Sequence, residues 1–230
     1  MKPSERFYNL AMPVWQTYFD HPFVKGIGDD TLEKDKFRYY MIQDHKYLMQ
    51  YAKVFALGLV KTADEDDMRM YSDLIRATLD TENAVHQAYL KELDVTPEAI
   101  AATPMALNNK SYTDYMIAQA SKGGLPEIAV AVLACSWSYK VIGDHLSEMN
   151  AREDNSFYTR WIDMYSSPEY RQANDDMIDL VDRYCSGLDE AHLKRLDDIL
   201  LDCSYYEYQF WDMAWSKGET YTPVPHAESR

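Results

Sequence analysis

Three side chains stand where a core-facing helical row would ordinarily carry an aliphatic residue. Cys135 belongs to the row Ile128, Val132, Cys135, Tyr139, Ile142, Leu146, spaced by three or four residues. Asp44 interrupts the row Phe37, Met41, Asp44, Leu48, Tyr51, Phe55. Glu207 interrupts Leu193, Leu196, Leu200, Cys203, Glu207, Phe210, Ala214. Such spacing puts every member of a row on one helix face. A buried, unpaired carboxylate costs several kcal/mol, or its pKa climbs until it is neutral. For either acid alone a structural hydrogen-bond network would explain the pattern. Two acids together with an inward thiol point to a site.

Each group has a natural role. A desolvated Glu207 would stay protonated near neutral pH and suit protonation of a ring nitrogen. Asp44, hydrogen-bonded and ionised, would suit an amidine-like edge that presents an N–H donor. Cys135 lies in mid-helix, so no helix N-terminus lowers its pKa, and a reactive thiolate needs a partner from another segment. Taken alone it reads as a small packed residue. The chain carries 19 Tyr and only 8 Gly. Many phenols in a chain with this much core argue for a pocket lined by rings with polar ends, shaped for a flat heterocycle.

The elements that must position these groups follow from punctuation and period. Few glycines argue for long helices. A first helix from about Ser4 to Phe19 stops before His21-Pro22. Gly26 and Gly28 are expected to form a turn, and Asp30 with Glu33 a capping-box-like start. The next helix then runs to about Lys61, roughly 45 Å at 1.5 Å per residue. Asp64–Asp67 suits a turn and the first turn of a helix reaching about Leu93. Thr96-Pro97 and Thr103-Pro104 bracket a short helix and a loop, and Asn108–Ser121 is helical. Gly123-Gly124 breaks it before the central helix. That helix contains the uncharged run Ile128–Trp137 and ends near Met149, buried on most of its circumference. Asn150–Ser156 reads as a polar loop, followed by a short helix with Trp161 and Tyr165. Ser167-Pro168 starts a helix to about Cys185, ended by Ser186-Gly187. The last helix spans about Asp189 to Ser216. Residues 1–230 are thus expected to form one all-α domain, a bundle of about seven or eight helices.

Composition narrows the partners. A net charge of −15 repels phosphate backbones and anionic lipid, so neither nucleic acid nor membrane is expected as a partner. Cys135, Cys185 and Cys203 show no paired spacing, and Met1–Asn9 lacks the apolar stretch of a signal peptide. No segment is expected to span a bilayer, and the chain is expected to be cytoplasmic with reduced thiols. Cys185 and Cys203 read as structural, Trp211 and Trp215 as core or subunit interface, and Asp175–Asp182 as a solvated face.

Four stretches, in order along nearly the whole chain, resemble the thiaminase II (TenA) family. They are HPFVKGIGDDTL at His21–Leu32, QDHKYL at Gln43–Leu48, CSWSY at Cys135–Tyr139 and SYYEYQFWDMA at Ser204–Ala214. The resemblance implies a haem-oxygenase-like all-α fold without haem, no cofactor and no metal, and a homotetramer. It implies hydrolysis of aminopyrimidines in thiamin salvage, releasing hydroxymethylpyrimidine with ammonia or, from thiamin, the thiazole. By the same resemblance Cys135 is the nucleophile on the pyrimidine ring, Glu207 protonates the ring nitrogen, and Asp44 holds the amino group and its neighbouring nitrogen. Tyr47, Tyr112, Tyr139, Tyr165 and Phe210 would line the pocket. The chain departs from the family at Ala134, where Pro often precedes the nucleophile. It departs also at His45 and Lys46, where some relatives have small or aromatic residues.

Two other readings stay open from sequence. Glu82 and His86 share a helix face at i, i+4, and Asp44, Asp144, His145 and Glu207 could complete a di-iron oxidase site on the same fold. A non-catalytic regulator that binds aminopyrimidine would use the same pocket without turnover. Haem binding is disfavoured, because the helix Ser4–Phe19 contains no His to serve as a proximal ligand.

Overall fold

The computed structural model describes residues 2–149 and 156–218, apart from the side chains of residues 81–83. Among these residues the chain forms helices and no strands. Helix α1 spans Pro3–Phe19, α2 Pro22–Gly28, α3 Lys34–Lys61 and α4 Glu65–Arg76. A π-helical stretch, Ala77–Glu82, joins α4 without a break to α5, Asn83–Glu92. Then come α6 (Pro97–Ala102), α7 (Leu107–Lys122), α8 (Leu125–Ser147), α9 (Thr159–Tyr165), α10 (Pro168–Cys185) and α11 (Glu190–Ser216). With α4, the π stretch and α5 taken as one, seven long helices and three short ones make up the described residues.

The helix starts carry their chemistry locally. Asp64, Thr96, Ser167 and Asp189 each accept a backbone N–H in the first turn of the helix they precede, and Pro97 and Pro168 take the first helical position, where no N–H is needed. Two local expectations are corrected. Gly26 and Gly28 lie inside α2, and the turn follows it, with Asp30 in the left-handed region at φ 60°. These glycines are small for packing: a Cβ on Gly28 would sit 2.5 Å from Met149 Sδ, and one on Gly26 3.0 Å from Leu32 Cβ. Asp30 does not cap α3, whose N-cap is Glu33 without a side-chain bond. The segment Asn150–Ser156 falls, but for Ser156, outside the described residues.

Helix α8 is the axis of the bundle, packed against α11, α10, α9, α7 and α3. Ile128 to Ala134 are seven consecutive residues at 0–1% exposure, so this stretch is enclosed on every side. Burying each large apolar side chain stabilises by roughly 1.5–3 kcal/mol. By length and composition alone Leu125–Ser147 could cross a membrane, contrary to the sequence expectation. The apolar surface that gives it this character is covered by the surrounding helices, with 67% of its most apolar stretch buried. Gly143 lets α9 lie directly on α8, since a Cβ there would come within 2.6 Å of the Tyr165 backbone. On the other flank, Asp67 of α4 accepts from Arg183 Nη2 at 2.5 Å and Tyr184 Oη at 2.6 Å, bracing α4 against α10. The Arg183 guanidinium holds the Asp67 carboxyl below its ordinary value despite burial.

Candidate active site

A cavity of about 300 Å³ runs between α3, α8, α9, α10 and the π stretch. Asp44, Tyr47, Cys135, Tyr139 and Tyr165 all line it. Tyr112, Phe210 and Glu207 do not form its wall but stand directly behind: the Tyr47 ring lies 5.4 Å from Tyr112 and 5.7 Å from Phe210. The structure therefore gathers all eight expected residues in one region. Rows on α3, α8 and α11 converge there because each of these helices turns its apolar face to the same core.

The floor is a set of linked phenols. Tyr40 Oη lies 3.3 Å from Tyr139 Oη and accepts from Trp161 Nε1 at 3.3 Å. Tyr139 packs against Tyr165 with ring centroids 4.7 Å apart, and Tyr47 stacks on Tyr51 at 5.4 Å. Burial pushes the Tyr47, Tyr112 and Tyr139 phenols well above their ordinary value, so each keeps its O–H. A stack of faces with hydroxyl rims fits a flat, polar-edged ring.

Glu207 is 2% exposed, and its Oε1 has no hydrogen-bond partner among the described residues. Burial pushes its carboxyl up to about 8, the nearby Tyr112 hydroxyl and Cys135 thiol pull it down, and the Asp44 charge adds to the rise. At neutral pH the group is an acid with a proton to give. The thiol of Cys135 is its hydrogen-bonding neighbour, and Cys135 itself is half-buried where the cavity reaches it. The nucleophile candidate is thus reachable from the cavity, whereas Cys185 and Cys203 are buried.

Asp44, 3% exposed, is held by a residue that the sequence offered only as a metal ligand. His86 Nε2 lies 2.5 Å from Asp44 Oδ2, and His86 is fully buried. The imidazole orients one Asp44 oxygen, and the buried Tyr40 hydroxyl is a second hydrogen-bonding neighbour of the carboxylate, so its direction is fixed where it lines the cavity. The neighbouring Gln43 is likewise a structural clamp. Its Oε1 accepts from Ala106 N at 2.9 Å, its Nε2 donates to Pro104 O at 3.0 Å, and its backbone carbonyl accepts from Asn109 Nδ2 at 2.7 Å. No periodicity distinguishes Gln43 or His86 from surface residues; only their packing does. Because His86 holds Asp44, His86→Ala weakens binding of the hydroxymethylpyrimidine that the sequence resemblance implies by about tenfold or more, the cost of a buried carboxylate losing its partner. His86→Gln, which restores a donor, recovers part of that loss. Calorimetric titration checks this, and equal affinity in His86→Ala and wild type would reduce His86 to space filling.

The other residues of the metal reading are engaged elsewhere. Asp144 accepts from Lys140 Nζ at 2.9 Å and Arg171 Nη2 at 2.6 Å, and His145 stacks on Phe19 with centroids 4.0 Å apart. The side chain of Glu82 lies outside the described residues. Among the described residues no three His, Cys, Asp or Glu are grouped to hold a metal ion.

This arrangement has relatives. A model of the TENA/THI-4/PQQC family matches residues 9–217. An aminopyrimidine aminohydrolase of Helicobacter pylori is 43% identical over 215 residues, spanning 94% of this chain and 99% of its own. An aminopyrimidine aminohydrolase of Bacillus subtilis is 33% identical over 217 residues, spanning 94% and 91%. Among solved structures, a TenA homologue from P. horikoshii superposes with a TM-score of 0.83 at 28% identity, covering 95% of this chain and 100% of that one. A TenA family transcription regulator from Silicibacter superposes with a TM-score of 0.85 at 25% identity, covering 94% and 97%. With the family pattern matched over almost all its length and the helices laid out as in these relatives, the chain belongs to the TENA/THI-4/PQQC family.

Proposed function

We propose that this protein is an aminopyrimidine aminohydrolase (thiaminase II), a hydrolase of thiamin metabolism that releases hydroxymethylpyrimidine. The observation that carries this reading is the meeting of a reachable thiol and an oriented carboxylate at one ring-lined cavity, with a carboxyl held neutral directly behind the thiol. The names of the Helicobacter and Bacillus relatives support it.

In this reading Asp44 accepts from the amino group of the pyrimidine and engages the adjacent nitrogen. Cys135 sulfur adds to the ring carbon next to the substituted one, and Glu207 gives its proton to the ring nitrogen, so no anionic ring has to form. The electron pair thus placed in the ring expels the leaving group from the exocyclic methylene. Water adds its oxygen to that methylene and gives up one proton. This balances the proton that an amine leaving group carries off as ammonia, or goes to solvent when the neutral thiazole leaves. Glu207 recovers the ring proton, and the sulfur departs and takes back the proton its thiol lost on attack, which regenerates the enzyme. The phenols of Tyr47, Tyr112, Tyr139 and Tyr165, with Phe210, hold the ring in plane for the attack. No cofactor enters any step. Residues 1–230 act as one thiaminase-like domain, and the family resemblance supports a cytoplasmic homotetramer.

Incubation with the aminomethyl-pyrimidine and with thiamin tests the proposal. Release of hydroxymethylpyrimidine, with ammonia or thiazole in equal amount, is the expected result, and their relative kcat/KM identifies the preferred leaving group. A second reading, a pyrimidine-binding regulator, is favoured by the description of the Silicibacter relative as a transcription regulator. Tight binding of both compounds without release of product would decide for it.

A further inference from the structure

Asn174 of α10 lines the cavity and is 1% exposed. Neither its Oδ1 nor its Nδ2 has a hydrogen-bond partner among the described residues. A buried amide with both ends unpaired is costly, and such a group in a cavity wall signals a partner that arrives with a ligand.

Its place in the cavity follows from the helices. Tyr40 of α3 meets Tyr139 of α8, and eleven residues later along α3 Tyr51 Oη donates to Val132 O at 2.8 Å, so α3 and α8 run in opposite directions. Tyr170 Oη donates to Ser136 O at 3.3 Å, which sets the first turn of α10 beside Cys135. Asn174 is one turn beyond Tyr170, and Met177 nearly another. Across from them the wall is Tyr51, Phe55, Leu74 and Thr78. From Asp44 to Phe55 the cavity follows roughly 16 Å of α3. A pyrimidine held at Asp44 and attacked by Cys135 fills only the first part of that length.

We propose that the remaining part is the leaving-group subsite, and that Asn174 is a specificity-determining residue there. Its amide hydrogen-bonds a leaving group that carries an N–H or O–H. This rests on the hydrolase reading above. The wall supports the chemistry: Phe55, Leu74 and Met177 are apolar, Thr78 is neutral, and Asn174 brings one acceptor and one donor. A site built to pair with N–H or O–H rejects a substrate that lacks it, because its own polar atoms then stay unpaired.

The experiment compares wild type with Asn174→Leu on two pyrimidines, the aminomethyl compound and its methoxymethyl analogue, which has neither N–H nor O–H on the leaving group. A third compound with a plain methyl group in that position, and so no leaving group, reports binding alone. In Asn174→Leu, kcat/KM for the aminomethyl substrate falls at least about tenfold relative to the methoxymethyl analogue. Affinity for the methyl compound is unchanged, and the ligand-free variant melts no lower than wild type, since an unpaired amide has been replaced by an aliphatic chain of similar size. Asn174→Ser, which keeps a polar group in less volume, gives an intermediate ratio and decides the matter should the Leu variant not fold. An unchanged ratio overturns the assignment, and so does an equal loss for all three compounds. Wild type that binds the methyl compound but turns over neither substrate overturns the hydrolase reading and this subsite with it.

Discussion

Turnover falls by at least roughly 10³-fold, about 4 kcal/mol of transition-state stabilisation, when Cys135 is replaced by Ser. The substitution exchanges sulfur for oxygen in a cavity whose shape is set by rings and helices that do not change. Affinity for hydroxymethylpyrimidine therefore stays within about twofold of wild type, and the loss appears in kcat. A serine hydroxyl is far less ionised than a thiol and attacks an aromatic carbon poorly. Its neighbour Glu207, itself held neutral, is no base to activate it. Single-turnover measurement with the aminomethyl substrate is the direct check. Substantial hydrolysis by Cys135→Ser would remove the covalent step, and the water would then have to act without a sulfur adduct.

Glu207→Gln lowers kcat/KM by about 10²–10⁴-fold, the range of a general acid, and changes two pH profiles. With a carboxyl pushed up to about 8 by burial, wild-type kcat/KM is carried by the protonated form and declines as pH rises through about 8. Gln has no proton to lose, so that limb is absent in the variant's residual activity. Stability moves by the same linkage. In the unfolded chain a glutamate ionises near its ordinary value of 4.5, whereas in the fold it keeps its proton until about 8. Between those values the folded state holds a proton that the unfolded state has released, so wild-type stability falls as pH climbs through the window. Glu207→Gln flattens this slope and gains on wild type by up to roughly 4 kcal/mol at the alkaline end. Denaturant titrations at acid, neutral and alkaline pH measure it. Parallel pH curves for the two proteins would mean that Glu207 is ionised in the fold and cannot be the acid.

Much of this site is legible without coordinates, for a definite reason. Asp44, Cys135 and Glu207 each break a long apolar row, and a helix more than six turns long leaves no doubt about which face a row occupies. Helix ends marked by Asp64, Thr96, Ser167 and Asp189 are equally plain, because a capping side chain acts on its own first turn. The glycines were misleading. Gly26 and Gly28 look like a turn, yet they are helical, small because Leu32 and Met149 approach from far along the chain. The π stretch at Ala77–Glu82 has no local signature either, since it depends on how α4 and α5 seat against α3. His86, Gln43 and Asn174 escape for the same reason. Their meaning lies in which buried atom each one does or does not meet, and that is a property of packing between distant segments.

The enclosure of α8 also has a consequence for biosynthesis. Two of its principal covers, α10 and α11, are translated after it, and α11 brings Glu207 and Phe210. While the ribosome is still adding those residues, the most apolar helix of the chain is covered only on the sides that earlier helices, α3 and α7 foremost, reach, and its composition is one that membrane-insertion machinery accepts. Completion of this protein is therefore a late, nearly all-or-none event, and a nascent chain arrested before Leu196 is a natural client for a hydrophobic-segment chaperone.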